Sequence, residues 1–325
     1  MQYQIRHLTR FIYNSPVSES VMELRMQPLT DRRQRNLRFD ITTNPRARIF
    51  AYRDHLGNAV HYFDIPGHHL RLDLTAEAAV DVASGDPLPD CLPTDAWDAI
   101  DAQGSSGEFV NWLAPSRFAR ETPALLEFAR SIGLERRDDP LTMLHELTRT
   151  VYEAFAYEPR TTHVDSPIDE ALAARAGVCQ DFAHIMTTLV RSLGIPCRYV
   201  SGYIAAGTTE SQDRSAANAT HAWVEARLPE LGWVGFDPTN NTLAQERHIA
   251  VAVGRDYGDV PPTRGVFKGG TGSELRVAVT VSRSELQVPQ HQDLSPTVSW
   301  ISSERPVDDR LSEDFQQQQQ QQQQQ

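Results

Sequence analysis

The stretch Ala176-Gly177-Val178-Cys179-Gln180-Asp181-Phe182-Ala183-His184-Ile185-Met186-Thr187-Thr188-Leu189-Val190-Arg191-Ser192-Leu193-Gly194-Ile195-Pro196 decides how this chain is read. Phe182, Ile185, Met186, Leu189 and Leu193 recur at helical spacing, so the segment predicts an amphipathic helix with one apolar stripe. Gly177 opens it, Gly194 stands where a left-handed C-cap falls, and Pro196 prevents its continuation. Cys179 then lies in the first turn, among N–H groups that lack acceptors and at the positive end of the helix dipole. Both favour thiolate over thiol, and the same N–H groups can stabilise an oxyanion. A cysteine so placed suits attack on a carbonyl, although position alone leaves open a buried, inert thiol.

A cysteine nucleophile needs a base, and the base needs an orienter. His221 begins an alternating strand, Thr220 to Leu228, and Asp237 ends the next, Trp233 to Asp237. Pro229 and Gly232 lie between them, so the two strands predict a hairpin that brings His221 back opposite Asp237. One imidazole nitrogen can then serve the carboxylate while the other faces Cys179. Taken singly, His221 reads as a structural histidine and Asp237 as a turn-initiating residue before Pro238. Taken jointly with a cysteine at a helix start, the covalent-catalysis reading prevails. By residue type the same three could hold zinc, but the helix-start position favours catalysis, and no cofactor or metal is called for.

Working outward, residues 1–85 show short alternating segments broken by Asn14-Ser15-Pro16, Asn44-Pro45 and Pro66-Gly67, which predicts an all-β sandwich. Residues 86–110, rich in Pro, Asp, Gly and Ser, read as a linker. The region 111–285 reads as an α+β catalytic core. It has apolar helical stripes at Ala124 to Ile132 and Met143 to Phe155, a strand from Arg198 to Ala205, and a last alternating strand at Leu275 to Val281. Residues 286–325 are polar and end in ten glutamines, Gln316 to Gln325, which predicts disorder.

Four ordered motifs carry a resemblance: Gly177 to His184, Arg198 to Tyr203, His221 to Glu225, and Gly232 to Asn240. Together they resemble the bacterial transglutaminase-like family, within the papain-like cysteine enzyme superfamily, whose chain order is Cys, His, Asp. Residues 1–85 resemble the β domain that precedes this core, and Gly254 to Pro262 resembles its C-terminal segment. The resemblance implies a helix-start cysteine packed on an antiparallel sheet. It implies Cys179 as nucleophile, His221 as general base and acid, and Asp237 as orienter. It also implies amide acyl transfer through a thioester. We expect peptide or isopeptide hydrolysis ahead of protein-glutamine transamidation, with a non-enzymatic binding module on the same fold as the third reading.

The remaining candidates are weaker. Tyr157 reads as a half-buried aromatic closing a helix, with oxyanion donation as its alternative. His184 reads as a packed histidine and Asp181 as a helix-start acid. Glu225 shares a strand face with His221 and either ion-pairs or tunes the site. Cys197 reads as core, and Cys91 as a loop thiol. His55, His61, His68 and His69 have no carboxylate or cysteine at ligand spacing and read as surface or loop residues.

Composition sets the outer limits. The chain has 325 residues, 40% of them hydrophobic, which fits globular domains rather than a disordered chain. With 31 basic against 43 acidic residues the net charge is −12, which argues against nucleic acid as a partner. No apolar run is long enough for a membrane helix. Three cysteines are too few for a disulfide framework and fit a reducing compartment. The N-terminus reads as a strand rather than a signal peptide, so a cytoplasmic address is expected. The partner expected is a protein or peptide substrate, with neither nucleic acid nor membrane.

Overall fold

A computed structural model describes residues 1–85, 87–206, 213–215, 219–270 and 272–284. The tail expected to be disordered, 286–325, lies outside the described residues. The chain forms two compact units. Among the described residues, one is Met1–Ala83 together with residues 261–270 and 272–284, and the other is Ser84–Val260.

The first unit starts with β1 (Gln2–Leu24), β2 (Gln34–Asn44), β3 (Phe50–Arg53) and β4 (Ala59–Val82). β1 and β4 pair antiparallel along nearly their whole length, with register shifts between Ile12 and Glu19. Each therefore belongs to two halves of one continuous sheet. Inward residues of both halves, Met22, Leu24, Phe63 and Ile65 from one, Leu72 and Leu74 from the other, join a single apolar cluster. The all-β unit expected at the N-terminus is thus one six-stranded sheet.

The second unit runs through α1 (Ala96–Ser105), α2 (Val110–Leu113), α3 (Pro123–Ser131), α4 (Pro140–Ala154), β5 (Ala156–Tyr157), α5 (Ile168–Ala174), β6 (Ala176–Gly177) and α6 (Cys179–Ser192). It continues through β7 (Cys197–Ile204), β8 (Ala219–Leu228), β9 (Gly232–Asp237), β10 (Thr242–Leu243) and β11 (His248–Gly254). The last five form an antiparallel sheet of order β10-β9-β8-β7-β11. α6 packs on β7, β8 and α4. Its predicted stripe, Phe182, Ile185, Met186, Leu189 and Leu193, is buried in the main core. Burying each such side chain contributes about 1.5–3 kcal/mol, which makes this helix the centre of the unit.

Both ends of α6 are fixed. At the start, Asp181 Oδ2 accepts the Val178 N–H at 2.8 Å and the Thr162 hydroxyl at 2.5 Å. Asp181 is therefore a capping residue, as the helix-start reading expected. At the end, Gly194 takes φ +82°, which an L side chain adopts only with strain. The buried Arg191 guanidinium donates to the carbonyls of Cys197, Arg255 and Ala114. α4 is capped by Asp139, whose carboxylate accepts from Leu141 and Thr142 N–H and from Leu92 N–H.

Two sequence expectations are corrected, and one strand is added to them. Within the segment 86–110, read as linker, α1 forms and buries Ala96 and Ile100, while the Arg136 guanidinium lies over Trp97 at 4.5 Å. The polar composition there hides a short helix with one apolar face. The segment His248 to Gly254 carried no strand expectation, yet β11 forms and is buried throughout. Being covered on both faces, it shows a continuous apolar run rather than alternation. Finally the chain returns to the first unit as β12 (Thr263–Lys268) and β13 (Ser273–Arg283), both antiparallel to β1. The last strand, assigned from sequence to the catalytic core, thus completes the N-terminal sheet. Its alternation identifies a strand but carries no information about which strand pairs with it.

Candidate active site

Cys179 is the first residue of α6 and is half-buried, while Cys197 is buried and Cys91 exposed. Burial pushes the Cys197 thiol up to about 12, in keeping with a core residue. β6 leads into the helix and pairs parallel with β5, Tyr157 opposite Gly177, so Tyr157 sits two residues in register from Cys179. Burial, followed by the nearby Cys179, pushes the Tyr157 phenol up to about 12 and keeps it a protonated donor. Asp181 is buried too, and that burial pushes its carboxyl up against the pull of its two hydrogen bonds.

The predicted hairpin forms, with Val224 opposite Phe236 and Leu228 opposite Gly232. His221 and Asp237 are diagonal neighbours across it rather than directly opposed. Side chains two residues apart on β8 share a face, and a diagonal pair lies within reach of an imidazole. The hydrogen bond is short: His221 Nε2 to Asp237 Oδ2 at 2.7 Å, both side chains fully buried. The other nitrogen, Nδ1, is buried without a hydrogen bond, and Cys179 is the neighbour that acts on the ring from outside the Asp237 pair. His221 thus has Asp237 on Nε2 and Cys179 as a further neighbour of its ring. Among the described residues, Cys179 is not in the group of ligand atoms that gathers around His221 and Asp237.

Burial alone would lower the His221 pKa, but the Asp237 charge and hydrogen bond, with Cys179 behind them, more than offset it and raise it to about 10. Burial would likewise raise Asp237, yet His221 and then His248 hold its carboxyl well below the usual carboxylate range. Asp237 accepts five hydrogen bonds. Oδ2 takes His221 Nε2, His248 Nε2 at 3.0 Å and Asn240 Nδ2 at 2.8 Å, and Oδ1 takes the N–H groups of Thr239 at 3.0 Å and Asn240 at 3.3 Å. Asn240 is held in turn by Arg214 and Ser215.

The Trp223 ring stacks on His221 at 6.1 Å and meets His248 edge-on at 5.2 Å. This packing depends on Gly202, opposite His221 in β7: a Cβ there would run into the Ile249 carbonyl oxygen and lie 2.7 Å from the Trp223 ring. Glu225 takes the ion-pair alternative, bound to Arg198 at 2.6 Å. His184 is a core residue: its Nε2 accepts the Tyr257 N–H, Phe118 stacks on it, and burial lowers its pKa to about 4.

His248 had no place in the sequence reading. With His221 and Asp237 it brings three potential metal-ligand atoms within 4.8 Å of one another. The donor set does not fit a cation. Metal binding at His248 Nε2 would move its proton to Nδ1, and Nδ1 already accepts the Gln245 N–H at 3.3 Å. None of His55, His61, His68 and His69 enters such a cluster among the described residues.

Comparison with known proteins matches this architecture part by part. Residues 127–238 fit the model of the transglutaminase-like superfamily, and residues 3–81 fit that of the bacterial transglutaminase-like N-terminal region. A Mycobacterium leprae protein, ML0607, is 31% identical over 280 residues, covering 86% of this chain and 98% of its own. This chain belongs to the transglutaminase-like superfamily. Another member, Rv2569c of Mycobacterium tuberculosis, is 34% identical over 297 residues, covering 86% of this chain and 92% of that one. A solved structure of a proposed cysteine protease from Cytophaga hutchinsonii shares the superfamily fold. Its TM-score is 0.65 at 20% identity, covering 92% of this chain and 98% of that one. A protein-glutamine gamma-glutamyltransferase of Pseudomonas aeruginosa is 36% identical over 105 residues, 31% of this chain and 16% of that protein.

Proposed function

We propose that this transglutaminase-like protein is a cysteine enzyme that transfers the acyl group of a protein or peptide amide, through a thioester on Cys179, to water. The observation that carries the reading is a buried imidazole, bound through Nε2 to a fully buried carboxylate and left without a hydrogen bond at Nδ1, with a half-buried helix-start thiol as its neighbour.

In this mechanism His221 holds the proton of Cys179, as its raised pKa favours, and an imidazolium–thiolate pair stands ready at neutral pH. The thiolate attacks the amide carbonyl, and the carbonyl electron pair moves onto oxygen. The N–H groups at the very start of α6, that of Cys179 among them, stabilise that oxyanion. As the tetrahedral intermediate collapses, the C–N bond breaks and His221 Nδ1 gives its proton to the leaving amine. His221, now neutral, takes a proton from water as the water oxygen attacks the thioester. The carboxylic acid leaves and the thiolate–imidazolium pair returns. Asp237 keeps the proton on Nε2 throughout, so Nδ1 remains the nitrogen that exchanges protons with substrate.

Transamidation differs only in the last step, with an amine in place of water. The partial match to the Pseudomonas glutamyltransferase favours keeping it as the second reading. The test is to incubate the protein with a peptide library, with and without a primary amine, and to identify adducts and products by mass spectrometry. An acyl adduct on the Cys179 peptide with a free-acid product supports hydrolysis; an amine-bearing product moves the assignment to transamidation. Turnover undiminished in Cys179→Ala, or no adduct at all, refutes the covalent mechanism and leaves a binding module.

A further inference from the structure

We infer that His248 is a positioning residue for the active centre, a second histidine that fixes the Asp237 oxygen on which His221 depends. The role rests on the Cys179–His221 pair proposed above.

The geometry has three parts. His248 Nε2 lies 3.0 Å from Asp237 Oδ2, the same oxygen that accepts from His221 Nε2. His248 Nδ1 accepts the backbone N–H of Gln245 at 3.3 Å. A backbone N–H can only donate, so Nδ1 carries no proton and Nε2 must carry it. The tautomer is thereby dictated by the main chain, and His248 can meet Asp237 only as a donor. The ring is buried and held edge-on by Trp223. The residue begins β11, and Ile249 pairs with Tyr203 one step from Gly202, so the strand that carries His248 is anchored to the strand facing His221.

The consequence is orientational. A carboxylate held only at one oxygen is free to rotate about its Cβ–Cγ bond. Here Oδ1 is held by two backbone N–H groups and Oδ2 by Asn240 and His248, independently of His221. Oδ2 therefore stays in place when the imidazole exchanges its proton with Cys179 or substrate, and the ring plane is preserved. The charged or titratable groups around His248 are Asp237 and His221 from the hairpin and Arg247 on its own chain segment. Removing the His248 donor releases Oδ2 on one side and loosens His221.

The test reads Cys179 directly and needs no substrate. Wild type, His248→Gln and His248→Asn are alkylated with iodoacetamide from pH 5 to 9, and labelling of Cys179 is followed by peptide mass spectrometry against exposed Cys91 in the same chain. A glutamine amide reaches the position of Nε2, whereas the shorter asparagine amide does not. At pH 6, where only an ion-paired thiolate reacts fast, His248→Asn should lower the Cys179:Cys91 rate ratio on the order of tenfold, the scale of losing a hydrogen bond to a charged group, and His248→Gln should restore most of it. Equal profiles in all three proteins, or equal losses in Gln and Asn, overturn the inference.

A wild-type ratio near one instead refutes the Cys179–His221 pair itself and takes this role with it. Should the asparagine variant fail to fold by circular dichroism, histidine ¹⁵N NMR of the unaltered chain decides. A His248 ring protonated at Nε2 and bare at Nδ1 supports the inference, and the opposite tautomer overturns it.

Discussion

Replacing Asp237 by asparagine is the sharpest perturbation of this site, because the side chain keeps its shape and loses only charge and acceptor capacity. Five donors point at Asp237, three at Oδ2 and two at Oδ1. An asparagine has one oxygen. With its oxygen at the Oδ2 position, its NH₂ faces the N–H groups of Thr239 and Asn240; flipped, it faces His221, His248 and Asn240 Nδ2. At least two buried donors lose their acceptor in either case. At about 1–3 kcal/mol each, the cost is about 2–6 kcal/mol, in line with breaking a buried charge pair.

The pH dependence has a definite sign. The folded His221 pKa is raised to about 10, so its share of stability is fully present below its unfolded value and is lost as pH rises through about 10. Asp237 is depressed, so its share is present above its unfolded value of about 4 and is lost as pH falls through its folded value. Urea unfolding of wild type and Asp237→Asn should therefore differ most between about pH 4 and 6.5, the two unfolded values, and the gap should narrow toward pH 10. Without the carboxylate, burial is left as the main influence on His221, so the ring becomes neutral at pH 7. Cys179 then loses its fast alkylation at pH 6. A variant within about 1 kcal/mol of wild type across this range, with an unchanged Cys179 alkylation profile, refutes the reasoning.

Three further outcomes are expected. Gly202→Ala puts a methyl group against the Ile249 carbonyl and the Trp223 ring, an overpacking that costs about 1–3 kcal/mol and should lower Tm in a calorimetric scan. Asp139→Ala removes the cap of α4, along with an acceptor for Leu92 N–H, and should cost about 1–2 kcal/mol in urea while leaving Cys179 alkylation unchanged. In the native protein Cys197, fully buried with its thiol pushed up to about 12, should resist alkylation until unfolding, whereas Cys91 labels at the rate of an ordinary exposed thiol.

The part of the site legible in sequence was the part governed by local rules. Helical spacing from Phe182 to Leu193, closed by Gly194, located Cys179 at a helix start. A Pro-Gly turn between two alternating strands paired His221 with Asp237, and the hydrogen bond at 2.7 Å follows from that hairpin. What escaped depended on pairing between distant segments. β13 meets β1 across the whole length of the chain, and alternation has no term for the partner. β11 was missed because burial on both faces erases alternation, and His248 went with it. α1 escaped because two buried side chains, Ala96 and Ile100, are too few to stand out against Asp, Gln, Gly and Ser.

The two histidines on Asp237 explain how one fold gives the same residue type opposite charge states. Each directs Nε2 at the same carboxylate oxygen, at 2.7 Å for His221 and 3.0 Å for His248, and each is buried, yet the first pKa is raised and the second lowered. Burial disfavours the cation in both. The difference lies in what else surrounds each ring. The His221 charge and then Arg247 oppose a cation at His248, and protonating its Nδ1 would also place an N–H against the Gln245 N–H. Protonating His221 places an N–H in a buried position without another hydrogen bond, on a ring that Cys179 neighbours and whose proton that neighbour favours. The shared carboxylate cannot choose between two imidazoles; the charges of His221 and Arg247 and the Gln245 backbone disfavour a proton on His248, while Cys179 favours one on His221, the ring that the proposed mechanism uses to pass it on.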